Sequence, residues 1–170
     1  MIKNNIYIYE KDYQKLYKYK IDCNFLTFEL FQSVNTFLFE NSQYKLVHTD
    51  SHFTEHIPMI VVNSDEGEII SACEILYNPA TNIAEIYNVC VNVSYRRQGQ
   101  VKELLNFIFY LYEYNKFNLW IAVALNNPMY SIVTRIYINA GFTDNVGLNS
   151  ITPSGILYSH GFLELYKLIK

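Results

Sequence analysis

A chain of 170 residues, 51% hydrophobic and only 17% charged, is long enough for one full core and too apolar to stay disordered. A formal net charge of -3 excludes a general nucleic-acid footprint, and no apolar run approaches the roughly 20 residues of a membrane span. Cys23, Cys73 and Cys90 show no metal-type spacing and the opening residues carry no apolar signal-peptide block, so a reducing, cytoplasmic setting is expected.

The stretch NNIYIYE reads as an opening strand. From Lys11 to Glu40, apolar residues recur at three- and four-residue steps: Tyr13, Leu16, Tyr17, then Leu30, Phe31, Val34 and Leu38. That spacing predicts two helices with a break near Asp22–Asn24. Two β-branched runs around SDEG, in IPMIVVNSDEGEIISACEILYN, predict a hairpin, and AEIYNVCVNV a further strand. Leu104, Leu105, Ile108, Leu111 and Tyr112 keep helical spacing, and NLWIAVAL reads as a fully buried strand. A second helix over Tyr130–Ala140 stops at Gly141, a residue suited to the left-handed position past a helix end. Asp144 to Ser159 carries no clear pattern, and GFLELYKLI predicts a last strand. With no repeat, linker or low-complexity segment, residues 1–170 read as one domain of mixed α/β (α+β) class. The middle strand–helix–strand crossover makes its two strands parallel.

Two clusters invite a chemical reading. His48, His52 and His56 stand four apart with Asp50 and Glu55 between them, a metal-binding face if helical. Extended KLVHTD before them and Pro58 after them predict a surface loop instead, and no metal is assigned. The stretch SYRRQGQVKELL holds two of the chain's three arginines, Arg96 and Arg97. A strand that enters a glycine-containing turn and then a helix gathers backbone N–H groups and the positive end of the helix dipole. Gly99 admits a phosphate without a Cβ in the way, and the arginines add charged forks at the rim. A pyrophosphate suits this arrangement; for these residues alone, an exposed turn with two solvated arginines is the competing reading.

The longer stretch VCVNVSYRRQGQVKELL resembles the acyl-coenzyme-A binding motif of the GNAT superfamily of N-acetyltransferases, a strand followed by Arg/Gln-x-x-Gly-x-Gly/Ala opening a helix. Arg96, Gly99 and Val101 occupy its three marked positions. RIYINAGF is similar to the family's later helix, Leu-Tyr-x-x-x-Gly-Phe, with Ile136, Tyr137, Gly141 and Phe142 in place. The likeness covers roughly Ile57 to Phe142. Val101 replaces the usual small residue, and Tyr130 stands where an asparagine is common; Asn126 and Asn127 lie nearby.

The resemblance implies a GNAT fold: a central twisted mixed β-sheet flanked by helices, with two strands splayed at the acetyl-CoA site. The strands meant are Glu85–Val93 and Leu119–Leu125, with the pantetheine arm between them. It implies a cofactor-binding set of Val91, Val93, Arg96, Arg97, Gln98, Gly99, Gln100, Val101, Lys102 and Asn126, with the N–H of Val91 on the thioester oxygen. It implies Glu85, in its AEI context, as the base that takes the amine proton, and Tyr137 as the acid for the leaving thiolate. The expected activity is direct transfer of an acetyl group from acetyl-CoA to a primary amine of a small molecule or protein. No nucleic acid and no membrane are expected, and a homodimer is allowed. A GNAT-fold module that holds CoA, or nothing, without turnover is the main alternative, favoured by Val101; an interaction protein that dimerises through its aromatic tail is another. Cys90, on the strand facing the cofactor, reads as a buried small residue rather than a nucleophile.

Overall fold

The computed structural model describes residues 2–17, 22–47, 56–115, 118–144 and 162–167. Its eight strands are β1 (Ile2–Ile8), β2 (Asn24–Phe25), β3 (Ile57–Asp65), β4 (Glu68–Asn78), β5 (Ile83–Val91), β6 (Asn118–Ala124), β7 (Thr143–Asp144) and β8 (Phe162–Lys167). Four helices accompany them: α1 (Tyr13–Tyr17), α2 (Phe28–Ser42), α3 (Gln100–Asn115) and α4 (Tyr130–Asn139). One mixed sheet runs β2-β1-β3-β4-β5-β6-β8-β7. The crossover through α3 leaves β5 and β6 parallel, as the sequence predicts.

Local chemistry sets the joints. The β3–β4 hairpin closes on Glu66 and Gly67, both with positive φ (49° and 86°), the two-residue turn whose twist matches paired strands. Thr27 caps α2, its hydroxyl accepting the N–H of Leu30 at 3.1 Å. At the end of α4, Gly141 lies at φ 101°, its N–H reaching Ile138 O and that of Phe142 reaching Tyr137 O. These two bonds use carbonyls that a helix end would otherwise leave open.

The sheet separates two environments. On one face, Ile57, Met59, Val61, Cys73, Ile75, Tyr77, Ala84, Ile86, Leu119, Ile121, Val123 and Leu165 pack with Leu104, Leu105 and Ile108 of α3 and Tyr137 of α4. On the other, Val34, Phe37 and Leu38 of α2 pack on Ile60, Val62, Ala72 and Cys90, side chains of β3, β4 and β5.

Two expectations change. The break between the first two helices contains a strand, β2, whose Asn24 and Phe25 pair with Tyr7 and Ile8 of β1. His56, expected in a surface loop, is buried at the start of β3, where the chain enters the core. His48 and His52 lie outside the described residues, as does 145–159 of the stretch without pattern.

Candidate functional site

Between β5 and β6, register pairing is confined to Ile83–Ile86 against Asn118–Ile121. Past that point β5 stays paired to β4 as far as Val91, and β6 to β8 as far as Ala124, so the two strands diverge. A bulge on β5 sits where the divergence starts. Tyr87 opposes Glu74 and Cys90 opposes Ala72, leaving Asn88 and Val89 against Cys73 alone. Asn88 takes the left-handed backbone, φ 52°, and its amide donates to Glu74 Oε2 at 2.6 Å and to Lys45 O at 2.9 Å. The buried Glu74 carboxylate also accepts the N–H of Val47. Such a bulge bends its strand and raises the local twist, and Glu74 holds it in place.

The divergence opens main-chain groups. Asn92 donates its N–H to Ile70 O on β4 at 2.7 Å. N–H groups alternate sides along an extended strand, so that of Val91 turns the other way, into the gap. Its carbonyl points there too, and accepts Arg96 Nε at 3.2 Å.

The turn that follows gathers unbonded N–H groups at the head of α3. Arg97 and Gly99 both have positive φ (63° and 74°), curling the chain into the first turn of α3. Glu103 N–H is the first to find a helix carbonyl, that of Gly99, so the N–H groups of Gly99, Gln100, Val101 and Lys102 precede the helix ladder. A Cβ placed on Gly99 meets nothing within 4 Å, so this side of the turn is open. Val101 does not stand in that opening: its side chain packs, half-buried, against the core under α3. Gln100 also turns inward, its amide oxygen facing Asn63 Nδ2 at 3.4 Å. Gln98 and Lys102 are exposed.

The two arginines have different surroundings. Arg96 is committed to carbonyls, those of Val91 and of Asn41 at the end of α2. Asn41 adds its own bond, its side-chain oxygen accepting the N–H of Val93 at 2.9 Å. Arg97, exposed like Arg96, makes no such carbonyl bond among the described residues. Asn126 is exposed in the turn after β6, whereas Asn127 folds back to accept Met129 N–H at 2.8 Å.

Glu85 and Tyr137 approach the splay from opposite faces of the sheet. Glu85 is 2% exposed and accepts a hydrogen bond from Tyr87 Oη at 2.9 Å. Tyr137 is buried under α4, its ring 6.0 Å from that of Phe142, and burial pushes its phenol well above the usual tyrosine range. Cys90 is buried as well; burial raises its thiol, against smaller opposing effects of Ser42 and Arg96. It is therefore a protonated thiol at neutral pH. Asn41, Glu74 and Asn88 escape a local reading, although a glutamate and an asparagine inside apolar strand runs are the signal that marks the last two.

Comparison with known proteins gives this geometry its family. The sequence matches the model of the acetyltransferase (GNAT) family over residues 24–130, more than half the chain. No protein of curated function matches it. The fold is similar to that of the ribosomal-protein-S18-alanine N-acetyltransferase from Escherichia coli (TM-score 0.65, 14% identity, 99% of this chain and 95% of that one). It is equally similar to Escherichia coli ElaA (TM-score 0.65, 9% identity, 98% and 99%) and to an acyl-CoA N-acyltransferase from Pseudomonas aeruginosa (TM-score 0.65, 11% identity, 98% and 99%). Among the described residues no helix is long and apolar enough to cross a membrane. The chain belongs to the GNAT acetyltransferase family, whose acyl donor is acetyl-CoA.

Proposed function

We propose that this protein transfers the acetyl group of acetyl-CoA directly to a primary amine. The observation that carries this is the splay: pairing between β5 and β6 ends at Ile86 and Ile121, with Glu85 beside the opening on one face and Tyr137 under the other. Acetyl-CoA supplies an activated acyl thioester. The residues present fit it. Four unbonded N–H groups at the head of α3, the open side of Gly99 and the exposed Arg97 suit a pyrophosphate. The gap-facing N–H of Val91 suits the thioester oxygen, where negative charge gathers during transfer.

The remaining steps are proton movements at this chain's own groups. An alkyl ammonium is mostly protonated at neutral pH and must lose a proton before it attacks. Glu85 takes that proton, with Tyr87 holding one carboxylate oxygen and thereby the orientation of the other. Tyr137, a phenol kept protonated by its burial, gives a proton to the departing thiolate. The buried, protonated Cys90 favours direct transfer over an acyl-cysteine route.

Replacement of Glu85 by Gln tests the reading. Turnover of an amine acceptor is expected to fall by roughly 100-fold or more, with acetyl-CoA affinity within about twofold of wild type. Unchanged turnover would remove Glu85 as the base.

A further inference from the structure

Register places one unexplained side chain beside this site. Leu76, Glu85, Trp120 and Tyr166 are successive partners across β4, β5, β6 and β8, a single row on the face opposite α3 and α4. One row further, Tyr87 stands on β5, and across the splay Ala122 is paired with Glu164. The core partners of α2 lie on β3, β4 and β5, none on β6 or β8, so the far end of these rows is outside its packing.

Glu164 is half-buried, yet makes no hydrogen bond or ion pair with any described residue, and its Oε1 is fully enclosed. Burial, and then the charge of Glu85, raise its pKa. Trp120, between Glu85 and Tyr166 in the same row, is 5% exposed, and its Nε1–H also lacks a hydrogen-bond partner among the described residues. A protein interior gains nothing from an uncompensated carboxylate near a second carboxylate. Such a group is retained where a cation completes it. The rows that carry Glu85 and Glu164 also carry the rings of Tyr87, Trp120 and Tyr166, the last two 5.5 Å apart, and aromatic rings suit an organic ammonium better than a hydrated metal ion.

We propose that Glu164 binds a second ammonium group of the acceptor, so that the preferred substrates are diamines and related polycationic amines. This rests on the reading of Glu85 as the base for the reacting amine. Two strand spacings across and two residues along separate the Cα atoms of Glu85 and Glu164 by roughly 12 Å. Both side chains lie on the same face of the sheet, and that span matches a linker of roughly four to six methylenes. Between Tyr87 and Glu164 on the same face stands Ala122, whose side chain is a single methyl group.

The test uses 1,4-diaminobutane, with 1-aminobutane as the single-charge control, titrated calorimetrically into the full chain saturated with CoA. The diamine is expected to bind wild type at least tenfold tighter than the monoamine, and Glu164→Gln to erase that margin while leaving monoamine binding unchanged. In turnover the same variant raises KM for the diamine about tenfold with kcat and the KM for acetyl-CoA unaltered. Equal affinity of wild type for the two amines, or undiminished diamine binding by Glu164→Gln, would overturn the proposal. If the diamine binds through Glu164 but no amine is acetylated, cation recognition stands and the transferase reading falls. If amines are acetylated with an unaltered KM in Glu164→Gln, the transferase reading stands and the selectivity falls.

Discussion

The two faces of the sheet are built on different terms. Beneath α3 and α4, strands β3, β4, β5, β6 and β8 present almost only hydrocarbon, and Tyr137 enters that layer as an apolar ring with a protonated tip. On the opposite face, α2 completes the core over β3, β4 and β5, while the rows through β5, β6 and β8 carry Glu85, Tyr87, Trp120, Glu164 and Tyr166. A layer of tightly packed hydrocarbon supplies stability and a fixed geometry but no proton transfer. A face with carboxylates and unbonded donors supplies chemistry at a cost in stability. The splay between β5 and β6 is where the two faces meet, which is why Glu85 and Tyr137, the proposed base and acid, can stand on opposite sides of one sheet.

The largest effect expected from this division is at the phosphate turn. Gly99→Glu should weaken acetyl-CoA binding by at least roughly 100-fold, about 3 kcal/mol, measured by calorimetry. Gly99→Ala puts only an uncharged methyl group on the open side, where its Cβ meets no protein atom within 4 Å, and adds the strain of φ 74°, about 1 kcal/mol of stability. Its affinity should stay within a few-fold of wild type. Equal losses in both variants would mean that backbone conformation, rather than anion contact, governs the site.

Neighbouring positions on β4 sharpen the contrast between faces. Ile75→Ala, on the hydrocarbon side, should cost about 3 kcal/mol and lower Tm by roughly 6–12 °C with acetyl-CoA affinity retained. Glu74→Leu should cost a similar roughly 3 kcal/mol, because Val47 N–H and the Asn88 amide lose their acceptor. Only Glu74→Leu should also weaken acetyl-CoA binding, since the bulge that diverts β5 loses its anchor. Preserved affinity in that variant would show that the splay does not depend on the bulge.

The arginine pair gives a smaller effect of the same kind. Arg97→Ala is expected to weaken acetyl-CoA about tenfold, and to reduce the salt dependence of binding, with Tm unchanged. Arg96→Ala should instead lower stability by about 1 kcal/mol, because its guanidinium ties the carbonyls of Val91 and Asn41. Reversal of the two phenotypes would return Arg96 to the phosphate and leave Arg97 as a solvated side chain.

What the sequence discloses and what it withholds follow the range of the interactions. The SDEG hairpin, the stop at Gly141 and the turn at Gly99 rest on positive-φ geometry that few residues tolerate, so they are legible locally. The roles proposed for Glu85 and Tyr137 rest on family spacing, but their placement on opposite faces depends on register. The positive φ at Asn88 has a local cue, an asparagine within a strand run, yet its hold on β5 comes from Glu74 and Lys45. Arg96 reads as a phosphate ligand until α2, distant in sequence, delivers the Asn41 carbonyl to it. Glu164 is the extreme case: in FLELYK it is one more alternating polar residue, and only the insertion of β8 beside β6 brings it into line with the splay.

The smallest expected effect asks whether that placement costs stability, as a functional carboxylate should. Burial and the charge of Glu85 raise the pKa of Glu164 in the folded protein above its ordinary value of 4.5. Between that ordinary value and the folded one, the native state therefore holds more protons than the unfolded chain, and stability falls as pH rises through the window. Below 4.5 the group is protonated in both states and contributes nothing to the difference. Gln cannot ionise, so Glu164→Gln should melt slightly higher than wild type at pH 7.5, by about 1–2 °C given that the residue is only half-buried. The difference should vanish as pH falls below 4.5. A margin that persists at low pH would come from packing or hydrogen bonding of the amide. A lower Tm at pH 7.5 would mean that the ionised carboxylate stabilises the fold, and would take away the reason to expect a cation beside it.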